Sequence, residues 1–264
     1  MNILDEIFTH KRFGVETRKR KIPLTELRST SESAPPPPDF IHAIRSAGHS
    51  PALIAEVKFA SPSKGVLVEN PDPVALARTY AENGASAISV LTDEKYFHGH
   101  LDYLRQVHAT LPHMPLLCKD FICDAYQIYE ARLAGASAIL LIVAHLDPIQ
   151  LADLHALAFS LGMAALVEVH DRAELETATQ LDGLDLLGVN NRDLRTFKVD
   201  LQTCLDLRPL VPPEICFVAE SSIHSVEDVQ RLAAAGVDAM LVGEALVTAQ
   251  EVGAKVREMV KVKG

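Results

Sequence analysis

Asn83-Gly84-Ala85-Ser86-Ala87-Ile88 recurs as Ala134-Gly135-Ala136-Ser137-Ala138-Ile139, and again as Ala235-Gly236-Val237-Asp238-Ala239-Met240. Each copy ends a stretch of helically spaced apolar residues and opens an apolar run. A glycine at that junction suits the left-handed position just past a helix C-terminus, where a Cβ is unwelcome. The three glycines lie 51 and then 101 residues apart, about two and four units of roughly 25 residues. Helix and strand alternating at that period make a βα repeat, the unit of parallel sheets.

Outward from these junctions, apolar runs fall at Leu53–Lys58, Ala87–Leu91, Leu116–Asp120, Ala138–Val143, Ala164–Val169, Leu186–Asn190, Cys216–Glu220 and Ala239–Val242. Most are apolar at nearly every position, as strands covered on both faces must be. Helical spacing lies between them, over Pro73–Glu82, Ala125–Ala134, Pro148–Leu161 and Val226–Ala235. Eight units in 264 residues predict an α/β protein with a closed (β/α)8 TIM barrel. An open doubly wound sheet is the rival, but no G-x-G-x-x-G follows the first strand. Two smaller domains would need a central linker, and none is visible.

Residues 1–48 read as an N-terminal helical extension, 49–264 as the barrel, and the whole as one domain. Ile3, Leu4, Ile7 and Phe8 give the segment from Met1 to Arg20 one buried helical stripe. Ser29 to Asp39, with Ser-Glu-Ser and the run Pro35–Pro38, reads as extended linker. Phe40 to Ala47 reads as a further short helix.

The 25 basic and 35 acidic residues leave a formal charge of −10. Such a chain repels nucleic acid and anionic lipid at long range, so neither is expected as a partner. The basic run Arg18-Lys19-Arg20-Lys21 is either a focus for an anion or a solvated helix face. Cys118, Cys123, Cys204 and Cys216 show no C-x-x-C spacing and the histidines no H-x-x-x-H spacing, so reduced thiols are expected and neither metal nor cofactor. No signal-peptide layout or membrane-length apolar run is visible, which predicts a cytoplasmic protein, monomeric or weakly associating.

Barrels of this kind keep their chemistry at the C-terminal ends of the strands. There the apolar runs finish in Glu56 and Lys58, Lys119 and Asp120, Glu168, Asn190-Asn191-Arg192, and Glu220-Ser221-Ser222. Glu56 and Lys58 are two apart and share one strand face. One such residue could be a structural ion pair, but five strands ending this way form a set of ammonium acids, carboxylate bases and an amide. That set suits metal-free proton transfer at a carbonyl and at an amine carbon. The loops after the seventh and eighth runs, Glu220-Ser221-Ser222-Ile223 and Gly243-Glu244-Ala245-Leu246, stand where barrels bind phosphate. Ser61-Pro62-Ser63-Lys64-Gly65, directly after the first run, is either a loop that folds over the site or an ordinary surface turn.

Ile54-Ala55-Glu56-Val57-Lys58-Phe59-Ala60-Ser61-Pro62-Ser63-Lys64-Gly65 resembles the first-strand signature of the indole-3-glycerol phosphate synthase family. The likeness continues through Leu91-Thr92-Asp93-Glu94-Lys95-Tyr96-Phe97-His98-Gly99, Cys118-Lys119-Asp120-Phe121-Ile122 and Leu166-Val167-Glu168-Val169-His170. It extends to Gly188-Val189-Asn190-Asn191-Arg192-Asp193-Leu194, Ala219-Glu220-Ser221 and Val242-Gly243-Glu244-Ala245-Leu246. The resemblance implies conversion of 1-(2-carboxyphenylamino)-1-deoxyribulose 5-phosphate to indole-3-glycerol phosphate, CO2 and water in tryptophan biosynthesis. It implies Lys119 as the acid that protonates the ketone during ring closure. Glu168 then serves the dehydration, with Lys58 as its acid partner or as the contact of the departing carboxylate, the two lysine roles being exchangeable between steps. Glu56, Asn190 and Glu220 position the lysines and the substrate hydroxyls, while Ser61, Arg192, Ser221, Ser222, Gly243 and Glu244 hold the phosphate.

Two positions depart from the family pattern. Ser222 stands where glycine is usual, and it is strained if the backbone there needs a positive φ. Cys118 precedes the lysine where a basic or polar residue is common, which reads as a packing change. Other readings of the same residues are a phosphoribosyl isomerase, a phosphosugar aldolase using Lys119 as a Schiff base, and a binding or scaffolding subunit.

Overall fold

A computed structural model describes residues 3–192 and 199–261 of the chain. Asp193 and Leu194 of the sixth-strand motif lie outside them. Eight parallel strands close into a barrel in sequence order: β1 (Ala52–Val57), β2 (Ala87–Leu91), β3 (Leu116–Lys119), β4 (Ala138–Ile142), β5 (Ala164–Val169), β6 (Leu186–Asn190), β7 (Cys216–Glu220) and β8 (Ala239–Val242). Around them run α4 (Pro73–Glu82), α5 (Glu94–Phe97), α6 (Leu101–Thr110), α7 (Ala125–Leu133), α8 (Pro148–Ser160) and α9 (Arg172–Ala178). The ring continues with α10 (Gln202–Leu207), α11 (Val226–Ala234), α12 (Glu244–Val247) and α13 (Val252–Val260), after the extension helices α1 (Ile3–Lys19), α2 (Leu24–Glu32) and α3 (Phe40–Arg45). Among the described residues no helix is long and apolar enough to cross a membrane.

The repeated glycines do what the repeat implies. Gly84, Gly135 and Gly236 have φ of 107°, 94° and 72°, each directly after the residue that caps its helix. Asp72, Asp124, Asp147, Asp171 and Ser225 start helices by accepting backbone N–H groups that the first turn leaves unpaired. The helices at Ala125, Pro148 and Val226 each end one residue earlier than their apolar spacing suggests, because Ala134, Leu161 and Ala235 serve as caps.

The period of two sorts the barrel strands. Leu53, Ala55 and Val57 of β1 face the helices in the outer core, while Ala52 and Ile54 face the barrel interior. The same alternation sends Leu117, Leu140, Leu166, Leu186, Val218 and Leu241 inward. Carried two residues further along β1, β5 and β7, it brings Glu56, Glu168 and Glu220 to the mouth as inward residues. All three are almost completely buried.

The extension packs against both ends of the barrel. Phe40 and Ile44 of α3 join the inner cluster, and the Arg45 guanidinium donates to the Glu214 carbonyl just ahead of β7. At the other end Phe8 of α1 stacks on His145 and meets Phe121 edge-on, at centroid distances of 4.5 and 5.8 Å. Burying a ring of that size contributes about 1.5–3 kcal/mol. The extended segment predicted over Ser29–Asp39 begins later than its composition suggests, because α2 runs through Glu32. Leu27 is buried there, the Ser31 hydroxyl donates to the Leu27 carbonyl, and Arg28 pairs with Glu32 one turn on. Tertiary packing thus outweighs the weak helix propensity of the serines. Half of the basic run is already engaged by carboxylates: Arg18 pairs with Glu130 of α7 at 2.9 Å and Lys19 with Asp124 at 2.6 Å. The four cysteines are free and buried.

Lys11 carries the firmest link. Its ammonium lies 2.9 Å from Asp93 and 2.6 Å from Asp120, the residues that follow β2 and β3 at the mouth. Burial alone would lower its pKa, but the two carboxylates raise it above the ordinary lysine value. Lys11→Met leaves the buried Asp93 and the half-buried Asp120 without their cation and is expected to cost about 3 kcal/mol of unfolding free energy, the lower end for a broken buried pair. Urea denaturation checks this, and an unchanged midpoint removes Lys11 as the tie. Gly135→Ala is expected to cost more than Gly236→Ala. Both demand a left-handed residue, about 1–2 kcal/mol, but a Cβ at 135 collides with the His108 ring whereas one at 236 meets open space. Paired melting curves of the two variants read the difference.

Candidate active site

A cavity opens at the barrel mouth, and eleven of the twelve residues singled out in the sequence line it: Glu56, Lys58, Lys119, Glu168, Asn190, Arg192, Glu220, Ser221, Ser222, Gly243 and Glu244. Lys119, from the end of β3, lies 3.6 Å from Glu168 and 3.3 Å from Glu220. Lys58, one residue beyond β1, lies 3.5 Å from Glu56 and 5.6 Å from the centre of the Phe97 ring. Both cations therefore reach the cavity from strand ends, Lys119 meeting carboxylates of β5 and β7 across the barrel and Lys58 one at the end of its own strand.

Those carboxylates sit deep because backbone yields to them. A Cβ on Gly188 would collide with Glu220 Oε1, and one on Gly243 with Glu56 Oε2. Gly188 lies opposite Glu168 in the ladder, and Asn190 lies opposite Glu220. Burial would lower the Lys119 pKa, but Glu220, Glu168 and Glu56 together hold its ammonium well above the usual range. Burial raises the Glu220 carboxyl; Lys119 opposes the rise and Glu168 adds to it, leaving it at about 8. Lys119 is thus a firmly protonated acid beside a carboxyl that can itself carry a proton near neutral pH.

The loop after β7 turns sharply. Ser221 and Ser222 both have φ of 64°, so the position expected to strain a serine does so, and its neighbour shares the conformation. Asn191 secures the turn. Its side-chain amide donates to the carbonyls of Glu220 and Ser221 at 3.1 and 3.3 Å, and its Oδ1 accepts from the Cys204 N–H at 3.0 Å. At the end of the adjacent strand β8, Gly243 caps the start of α12, and the Glu244 carboxylate pairs with Lys64 at 3.7 Å. The structure does not bring Ser61 into the cavity wall. Ala60–Ser61 and Gly65–Val66 form a small antiparallel hairpin in which Ser61 Oγ accepts from the Lys64 N–H at 3.2 Å. Cys118 is buried with its thiol pushed up to about 12, consistent with a packing residue.

The apolar half of the cavity was not singled out from the sequence. Phe97 and Phe121, ring centres 5.7 Å apart, face it together with Leu91, Leu140, Ile142 and Leu241. Phe97 sits on α5, which Asp93 caps by accepting from the Tyr96 N–H at 2.7 Å. An aromatic ring one short turn past a strand end was the available signal. The cavity thus combines a flat apolar slot, two ammonium groups and a turn rich in N–H groups, a match for an aryl group, a carbonyl and an anion.

Comparison with known proteins separates likeness of fold from likeness of sequence. Barrels of low sequence similarity share the fold alone: 3-hexulose-6-phosphate synthase from Salmonella typhimurium (TM-score 0.65, 14% identity) covers 80% of this chain and 97% of its own. Thiamine phosphate pyrophosphorylase from Pyrococcus furiosus (TM-score 0.59, 16% identity) covers 79% of this chain and 93% of its own. Much nearer in sequence is an indole-3-glycerol phosphate synthase of Roseiflexus castenholzii, 54% identical over 264 residues and covering 97% of both chains. Another, from Dehalococcoides mccartyi, is 50% identical over 259 residues, with 97% of this chain and 99% of that one covered. The family model described as indole-3-glycerol phosphate synthase matches residues 4–259. With that match spanning extension and barrel alike, the chain belongs to the indole-3-glycerol phosphate synthase family.

Proposed function

We propose that this barrel closes the indole ring of its family's substrate with Lys119 as the general acid. The single observation that carries the reading is the Lys119 ammonium held between Glu168 and Glu220 at the floor of a cavity with an aromatic wall. The aryl ring of 1-(2-carboxyphenylamino)-1-deoxyribulose 5-phosphate lies in the slot of Phe97 and Phe121. Its ring carbon attacks the ketone carbon while Lys119 delivers a proton to the ketone oxygen. The C–C bond to the carboxylate then breaks, CO2 departs and its electron pair returns to the ring. Loss of the new hydroxyl as water follows, with Glu168 removing the proton and Lys58 assisting the departure or facing the carboxylate. Glu56, Asn190 and Glu220 hold the lysines and the substrate hydroxyls.

The phosphate lies in the rim made by Arg192, the turn at Ser221 and Ser222, and the start of α12 at Gly243 and Glu244. Glu244 contributes through its backbone, since its carboxylate is engaged by Lys64. Ser61 acts by shaping the hairpin that carries Lys64. A lysine nucleophile needs a free amine, and the charge around Lys119 opposes one, which favours the acid over the Schiff-base reading. The four buried free thiols suit a cytoplasmic enzyme.

Purified protein incubated with the carboxyphenylamino substrate is expected to generate indole fluorescence; folded protein without turnover rejects the reading. Lys119→Ala is expected to lose at least about 10²-fold in kcat while substrate still binds, the lower range for a positioned acid. Borohydride treatment with substrate that trapped an adduct on Lys119 would sink the acid role. Ser222→Gly relieves a left-handed side chain and is expected to stabilise by about 1 kcal/mol with activity equal or higher. A large loss of activity would make the hydroxyl a required ligand contact.

A further inference from the structure

In the contacts at the mouth three buried carboxylates, Glu56, Glu168 and Glu220, meet two ammonium groups, Lys58 and Lys119, a local excess of carboxylate, while the cation Arg192 lines the same cavity. His170 lies next to that excess. It follows β5 directly and shares the strand face of Glu168, two residues before it. Its Nδ1 is 2.9 Å from Glu174 Oε2 and its Nε2 is 3.4 Å from Glu168 Oε1.

Glu174 is itself fixed. It belongs to the first turn of α9, its backbone N–H donates to Asp171 at 3.0 Å, and its Oε2 also accepts from the His170 N–H at 2.8 Å. The ring is thereby clamped by one carboxylate while its far edge faces another. His170 Nε2 is buried and makes no hydrogen bond among the described residues. A neutral ring with Nδ1–H given to Glu174 would turn a lone pair toward Glu168. The imidazolium turns an N–H toward it instead, and two flanking carboxylates favour that form. Burial works against the charge, but the Glu174 hydrogen bond and the charges of Glu168, Glu174 and Glu220 outweigh it, raising the His170 pKa above its ordinary value. A further titratable group that interacts with the ring is His145, from the 3₁₀ turn Val143–His145; burial lowers its pKa, so it adds little competing charge.

We propose that His170 is a positioning residue for the reaction: clamped by Glu174, its imidazolium edge pairs with the Glu168 carboxylate and orients it toward the substrate proton it takes. The inference rests on the role given to Glu168 above. Through it the site extends from the cavity into α9, which touches no part of the cavity itself.

The test is kcat and KM from about pH 5 to 9 for wild type, His170→Leu, His170→Asn, Glu174→Gln and Glu168→Gln, with folding checked by circular dichroism. His170→Leu is expected to lose about 10-fold in kcat near neutrality, with KM within about two-fold and the acid limb of the kcat profile moved to higher pH. The direction follows from removing a cation beside a carboxylate that must be ionised. His170→Asn keeps a neutral donor and is expected to recover much of kcat at high pH while retaining the moved limb. Glu174→Gln is expected to move the limb the same way by less. Profiles that keep the wild-type shape in all three variants, whether or not kcat falls uniformly, overturn the inference. Glu168→Gln separates the two readings. If it stays active, the role of Glu168 fails first; if it is inactive while the His170 profiles match wild type, only the present inference fails.

Discussion

Moving a carboxylate from water into a protein interior costs several kcal/mol unless a cation lies close and the rest of its hydrogen bonds are met. This chain puts three of them at the mouth of one barrel, on strands β1, β5 and β7. Lys119 makes that tolerable by standing between Glu168 and Glu220, and Lys58 does the same for Glu56. In these contacts the carboxylates outnumber the ammonium groups by one. A proton offsets that local excess, and the candidates to hold it are Glu220, with its raised pKa, and His170. Acid–base capacity here is the residue of an electrostatic problem the fold does not fully solve.

The extension belongs to the same system. Lys11 pairs with both Asp93 and Asp120 and offsets one of their two charges, which would otherwise deepen the negative field at the mouth. Asp93 caps the short helix that carries Phe97, and Asp120 lies between Lys119 and Phe121. Tyr96 and Lys95 on that helix reach back to Glu6 of α1, at 2.9 and 3.6 Å. Both aromatic walls of the cavity are thus held from behind by one helix that lies outside the barrel repeat.

The fold was legible because it rests on periodicities. The left-handed glycines marked helix ends, continuous apolar runs marked strands covered on both faces, and the period of two carried Glu56, Glu168 and Glu220 inward without appeal to any relative. The polar half of the site followed from the same rule. The aromatic half did not, because Phe97 and Phe121 look like ordinary apolar loop residues until the closed barrel sets them side by side. Asn191 and His170 escaped for another reason: each acts on a neighbour, Asn191 on the carbonyls of the β7 turn and His170 on a carboxylate, and sequence spacing does not show which neighbour a side chain meets. The helix Leu24–Glu32 was hidden by serines whose weak propensity is overridden by packing on α7. The chemistry itself came from the ordered family motifs.

The tie made by Lys11 has a consequence for the life of the nascent chain. The lysine precedes the barrel in the chain, but its carboxylate partners follow only with the second and third βα units. Until those strands have left the ribosome, α1 has neither these counter-ions nor the Phe121 edge that seats Phe8. The helix is therefore made before the groups that hold it, and the aromatic slot is framed only when it docks on them. A ribosome-bound chain with several strands already paired would still have an open, unbraced mouth.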